Sequence, residues 1–69
     1  MIGRVSFFKP EWYGFIAIEG GADFYFSSSS VIGDVELRRG DVVEFWLDDG
    51  PRGDLIAVEV RRSPVRPAG

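Results

Sequence analysis

The chain has no cysteine and no histidine. Without cysteine there can be no disulfide and no thiolate metal site, and without histidine there is no imidazole for acid/base work near neutral pH. A reducing compartment is therefore allowed. No segment keeps a helical period over a useful length, and no apolar run approaches the length needed to cross a bilayer. No basic segment precedes an apolar stretch at Met1, so the expectation is a cytoplasmic protein with no membrane partner. Positive charge is also scarce: eight basic residues face eleven acidic ones, for a net charge of −3. Such a balance gives little general attraction for phosphates. A chain of 69 residues makes one small domain, which buries a modest fraction of its surface and is marginally stable.

What the chain does have is aromatic strands. Tyr13 to Ile18 sorts by period-two alternation into Tyr13, Phe15 and Ala17 on one face and Gly14, Ile16 and Ile18 on the other. Both faces are apolar. The run from Asp23 to Ser28 sorts in the same way, with Phe24 and Phe26 against Tyr25 and Ser27. Two such strands side by side would set Tyr13, Phe15 and Tyr25 together outside the core, where exposed rings form a stacking platform for nucleobases.

Turn formers divide the chain into five strand-like segments. These are Gly3 to Lys9, stopped by Pro10; Trp12 to Glu19, ended by Gly20 and Gly21; Asp23 to Ser28; Asp41 to Leu47; and Asp54 to Arg62. The serines from Ser27 to Ser30 fit one helical turn, because their hydroxyls cap free backbone N–H groups. Gly33 to Gly40 is expected as a loop pinned by Leu37, and Asp48 to Gly53 as a turn. Residues 1–62 are the expected domain, and residues 63–69, with two prolines and a glycine, a flexible tail. Five short strands with one long connection predict an all-β fold, a small antiparallel barrel that removes sheet edges by closing.

The interior of such a barrel is filled by Val5, Ile16, Ile18, Phe24, Phe26, Val43, Phe45 and Leu47, by Ile56, Val58 and Val60 of the last strand, and by Val31 and Leu37 as plugs. In the last strand Ala57 and Glu59 are then expected to face out. Phe7, Tyr13, Phe15 and Tyr25 are surplus to this core. Either they pack under loops, as single strand aromatics commonly do, or they form an exposed patch that marks an interaction site. Trp46 falls on the outer face of the fourth strand, where it either covers the barrel's end or meets a partner.

At this point the chain resembles the bacterial cold-shock proteins, a family of cold-shock domains. The resemblance rests on Gly3-Arg4-Val5-Ser6-Phe7-Phe8, Tyr13-Gly14-Phe15-Ile16, Asp23-Phe24-Tyr25-Phe26-Ser27-Ser28-Ser29-Ser30-Val31, Gly40-Asp41-Val42-Val43-Glu44-Phe45 and Ala57-Val58-Glu59-Val60, in that order. It implies a five-stranded OB-fold barrel whose second and third strands carry two ribonucleoprotein motifs for single-stranded RNA or DNA. On the family pattern G-x-V-K-W-F-N, the stacking tryptophan falls on Phe7 and its aromatic neighbour on Phe8. On K-G-F-G-F-I the two phenylalanines fall on Tyr13 and Phe15, and on V-F-V-H-F the outward aromatic falls on Tyr25. Strict alternation would set Phe7 beside inward Val5, so a bulge or sharp strand coiling is expected there.

Departures from the family pattern bear on affinity. Ser6 replaces a lysine, and a segment one residue shorter leaves Trp12 in place of either the next lysine or the glycine beside it. Ser27 and Ser28 replace a histidine and a phenylalanine. Arg4 and Lys9 remain as bases in the first strand. The expectation is an RNA-chaperone-like module of reduced affinity, binding single-stranded RNA or DNA through Phe7, Phe8, Trp12, Tyr13, Phe15, Tyr25 and Ser27, with Arg4 and Lys9 near phosphates. The alternative is a protein-interaction or self-associating domain on the same barrel, using Trp12 and Trp46. No cofactor, metal site or catalytic residue is expected. Asp48, Asp49 and Asp54 read as a solvated hairpin turn, and the serine run has no base nearby in sequence to activate it.

Overall fold

The computed structural model describes residues 1–33 and 35–63. Its strands are β1 (Ile2–Lys9), β2 (Tyr13–Ala17), β3 (Asp23–Ser27), β4 (Val42–Asp49) and β5 (Leu55–Arg62), with a 3-10 turn at Ser28–Ser30. They close into a barrel in the order β1-β2-β3-β5-β4. All pairings are antiparallel except β3 with β5, which meet in parallel at Tyr25 and Ile56. The tail expected over residues 63–69 lies, apart from Ser63, outside the described residues.

Local chemistry sets the turns. Trp12 N–H donates to the Lys9 carbonyl at 3.0 Å to close the β1–β2 turn. Between β2 and β3, Gly20 and Gly21 take φ values of 103° and 95°, a region that side chains with a Cβ rarely enter. Ser27 caps the 3-10 turn, its hydroxyl accepting from Ser29 N–H at 3.3 Å. Leu37 anchors the long loop by burying its side chain in the core. Around it, Arg62 donates to the Glu36 carbonyl and to the Asp41 carboxylate, each at 3.1 Å, and Arg4 donates to the Gly40 carbonyl at 3.1 Å.

The core centres on Val5, Ile16, Phe26, Val43, Phe45 and Val60. The expected bulge in β1 is present. Val5 pairs with Ile16 and Phe7 with Phe15, so Ser6 is an extra residue on β1, and Val5 points in while Phe7 points out.

The last strand departs from simple alternation. Ala57 is fully buried, whereas Ile56 and Val58 are only partly covered and stand outside the core cluster. The reason is a second bulge. Glu44 pairs with Arg61 and Trp46 with Val58, so three steps along β5 oppose two along β4. Glu59 absorbs the extra residue at φ 50°, and both Ala57 and Val60 turn inward. Alternation read through Glu59 as if it were an ordinary strand residue therefore assigned Ile56, Ala57 and Val58 to the wrong faces.

Two stability outcomes follow from this packing. Left-handed backbone costs a residue with a Cβ about 1–2 kcal/mol, and asparagine tolerates it better. Glu59→Asn is expected to raise the urea midpoint, by up to about 1 kcal/mol of stability, and Glu59→Val to lower it. A midpoint lowered by Asn would contradict the strain. Phe26→Ala, which empties the centre of the core, should destabilise by about 3–5 kcal/mol.

Candidate nucleic-acid interface

The bulge at Ser6 and the alternation of β2 and β3 bring four rings to one outer face. Phe7 pairs with Phe15, and Phe15 pairs with Tyr25, which makes a row of rings across three strands. Tyr13 lies two residues before Phe15 on the same side of β2. Phe7 is 5.7 Å from Tyr13 and 6.5 Å from Phe15, measured between ring centroids. Tyr25 is 5.8 Å from Tyr13, nearly parallel to it, and 6.0 Å from Phe15. Tyr13 meets Phe15 edge-on at 5.9 Å. These spacings lie in the range where aromatic pairs attract by about 0.5–1.5 kcal/mol beyond burial, so the rings hold one another in place. Even so, Phe7 remains 45%, Phe15 37% and Tyr25 41% exposed.

Beneath this face lies a row that only glycine could complete. Phe8 pairs with Gly14, and Gly14 pairs with Phe26. The Phe8 and Phe26 rings stack with centroids 5.7 Å apart and planes 9° from parallel. A Cβ on Gly14 would stand 2.6 Å from the Phe26 ring and 2.6 Å from the Phe7 carbonyl oxygen. The glycine thus leaves room for Phe26 under the sheet, while Tyr13 and Phe15 on either side of it point out.

The remaining site residues read from the sequence are placed as follows. Phe8 packs against the core, away from the four rings. Trp12, in the β1–β2 turn, is 64% exposed and carries the Lys9 ammonium 5.0 Å from its ring centroid. Its carbonyl accepts from Ser28 N–H at 3.1 Å, which ties the turn to the end of β3. Ser27, paired with Tyr13 at that end, has its hydroxyl 2.9 Å from that of Ser29. The Ser6 hydroxyl donates to the Phe15 carbonyl at 3.2 Å. Arg4 is engaged with the long loop.

One basic residue reaches the face without a signal in its local sequence. Arg52 lines a groove of about 420 Å³ together with Tyr25, Leu55 and Ile56. The parallel pairing of β3 with β5 carries it there, and nothing in Gly50-Pro51-Arg52-Gly53 announces that contact. Among the described residues no three acidic side chains gather as a metal site, and no helix is long and apolar enough to cross a membrane.

No protein-family model matches the chain. Individual relatives do. The chain is 39% identical over 56 residues to the cold shock-like protein CspE of Bacillus anthracis, covering 77% of this chain and 84% of that one. It is 41% identical over 58 residues to the cold shock-like protein CspD of Bacillus cereus, with 80% and 88% covered. The major cold shock protein of Micrococcus luteus is 43% identical over 56 residues, with 75% and 84% covered. Cold-shock proteins are not enzymes. A closed five-stranded barrel and identities of this size over most of each chain place this protein in the bacterial cold-shock protein family.

Proposed function

We propose that this protein binds single-stranded RNA or DNA in the cytoplasm by stacking successive bases on Phe7, Tyr13, Phe15 and Tyr25. The observation that carries the reading is the four-ring cluster, in which Phe7, Phe15 and Tyr25 are exposed and Tyr13 is partly covered, with neighbouring centroids 5.7 to 6.5 Å apart. Rings left open to solvent on a barrel with a filled core have no packing role that requires that exposure. Stacking is tolerant of sequence because every base has a π-face. Membership of the cold-shock family supports the same ligand class.

Charge makes a small contribution on this reading. Lys9 beside the turn and Arg52 beside Tyr25 are the cations nearest the rings, whereas Arg4 and Arg62 hold the long loop. With lysine absent at Ser6, and with Ser27 and Ser28 where the family has rings, affinity is lower than the family pattern would give.

A second reading has its own support. Trp46 is 60% exposed on β4, opposite Val58 and away from the four rings, and Ile2 on neighbouring β1 is also exposed. Such a patch suits a protein partner or weak self-association. Concentration-dependent sedimentation abolished by Trp46→Ser would favour it.

The test of the first reading is fluorescence anisotropy of a labelled oligothymidine at low salt. Phe15→Ala should weaken binding by about 1–3 kcal/mol and leave the barrel folded by circular dichroism, with a thermal midpoint lowered by the loss of its three ring contacts. Two phosphate contacts at about 0.7 each predict a slope of log affinity against log salt of about −1.4. Ser6→Lys should tighten binding and steepen the slope by about 0.7. Absence of binding at high micromolar protein, or a slope several-fold steeper, would contradict stacking as the main source of affinity.

A further inference from the structure

Trp12 stands apart from the four-ring cluster. Its backbone is fixed on both sides, by the bond from its N–H to the Lys9 carbonyl and by the bond from Ser28 N–H to its carbonyl. Its side chain is nonetheless 64% exposed, more than any other large apolar residue among those described. A rigid backbone carrying an open indole is a preorganised stacking surface, because little conformational freedom remains to be lost on binding. The turn also sits at one end of the face. Trp12 directly precedes Tyr13, and Tyr13 pairs with Lys9 on one side and Ser27 on the other.

Lys9 adds the second half of the pair. Its ammonium lies 5.0 Å from the indole centroid, within the range of a cation–π contact. That contact uses the charge and leaves the three N–H donors available. Among the described residues no acceptor is hydrogen-bonded to this ammonium. A largely exposed indole and an ammonium with no hydrogen-bonded acceptor among the described residues thus lie side by side at the turn.

We infer that Trp12 and Lys9 form a separate nucleotide subsite at the β1–β2 turn, the indole stacking one further base beyond the four-ring face and the ammonium meeting that nucleotide's phosphate. The inference rests on the proposed nucleic-acid binding, and it lengthens that site by one nucleotide at the Tyr13 end. The chemistry asked of the ligand is a nucleobase with its phosphate and nothing more specific.

A length series tests it. In a Trp46→Phe background Trp12 is the sole tryptophan, and its fluorescence can be followed with oligothymidines from about three to about eight nucleotides long. Quenching of Trp12 should begin only at the length where the affinity of the chain makes its last large step. Trp12→Leu should remove that step, about 5- to 150-fold for one stacked base, and leave affinity for the shortest oligomers unchanged. Trp12→Phe should recover part of it. Lys9→Met should make the salt slope shallower by about 0.7 for the long oligomers only. Circular-dichroism melting of each variant checks that the barrel is intact. Equal affinities of the parent and Trp12→Leu at every length would overturn the subsite while leaving the four-ring face standing, provided Phe15→Ala still weakens binding. Loss of binding by neither variant, or no binding by the parent, would overturn both.

Discussion

A single extra residue in β1 decides what the outer face of this barrel can do. Ser6 has no partner of its own in the pairing with β2, so Val5 turns into the core while Phe7 turns out, beside Phe15. Without that bulge Phe7 would follow Val5 by alternation, and the face would begin at β2. The hydroxyl of Ser6 reaches the Phe15 carbonyl, so the residue that creates the offset also fastens it to the neighbouring strand. Gly14 completes the arrangement from below, since the close approach of Phe26 leaves no room for a Cβ. The same stretch of chain is thereby both core floor and exposed platform.

The distribution of cations gives this platform its character. Arg4 and Arg62 are tied to the long loop, Arg62 partly through an ion pair with Asp41. Exposed pairs of that kind contribute about 0–1 kcal/mol each, so their larger effect here is to hold the loop with donors that are then not directed at the rings. Lys9, at the end of β1, lies against Trp12, and Arg52 lines a groove with Tyr25. On the proposed reading, these few cations would orient a strand along the rings and stacking would supply most of the affinity.

Much of this was legible in the residues. Alternation alone separated Tyr13, Phe15 and Tyr25 from Gly14, Ile16, Phe24 and Phe26, because both runs keep a strict period of two; with both faces apolar, the count of core residues decided which face points out. The bulge before Phe7 was legible only through the family motif, since nothing in Val5-Ser6-Phe7 marks Ser6 as unpaired. The β5 bulge was not legible at all. Ile56, Val58 and Val60 form an apparently regular apolar alternation, and the left-handed backbone falls on Glu59, where no glycine or asparagine signals it. Phe8 shows the opposite difficulty: its motif neighbour Phe7 belongs to the face, whereas its own ring stacks on Phe26. Arg52 shares a groove with Tyr25 beside the parallel pairing of β3 with β5, which no local motif encodes.

The most direct measurement is by NMR, following the ring protons of Phe7, Tyr13, Phe15 and Tyr25 during titration with a short single-stranded oligonucleotide at low salt. Stacked bases would move these protons upfield together, with saturation at one common affinity, while the indole of Trp46 on the opposite flank stayed unmoved. Shifts confined to Trp46 and its neighbours, or none on the four rings at saturating ligand, would contradict base stacking on this face.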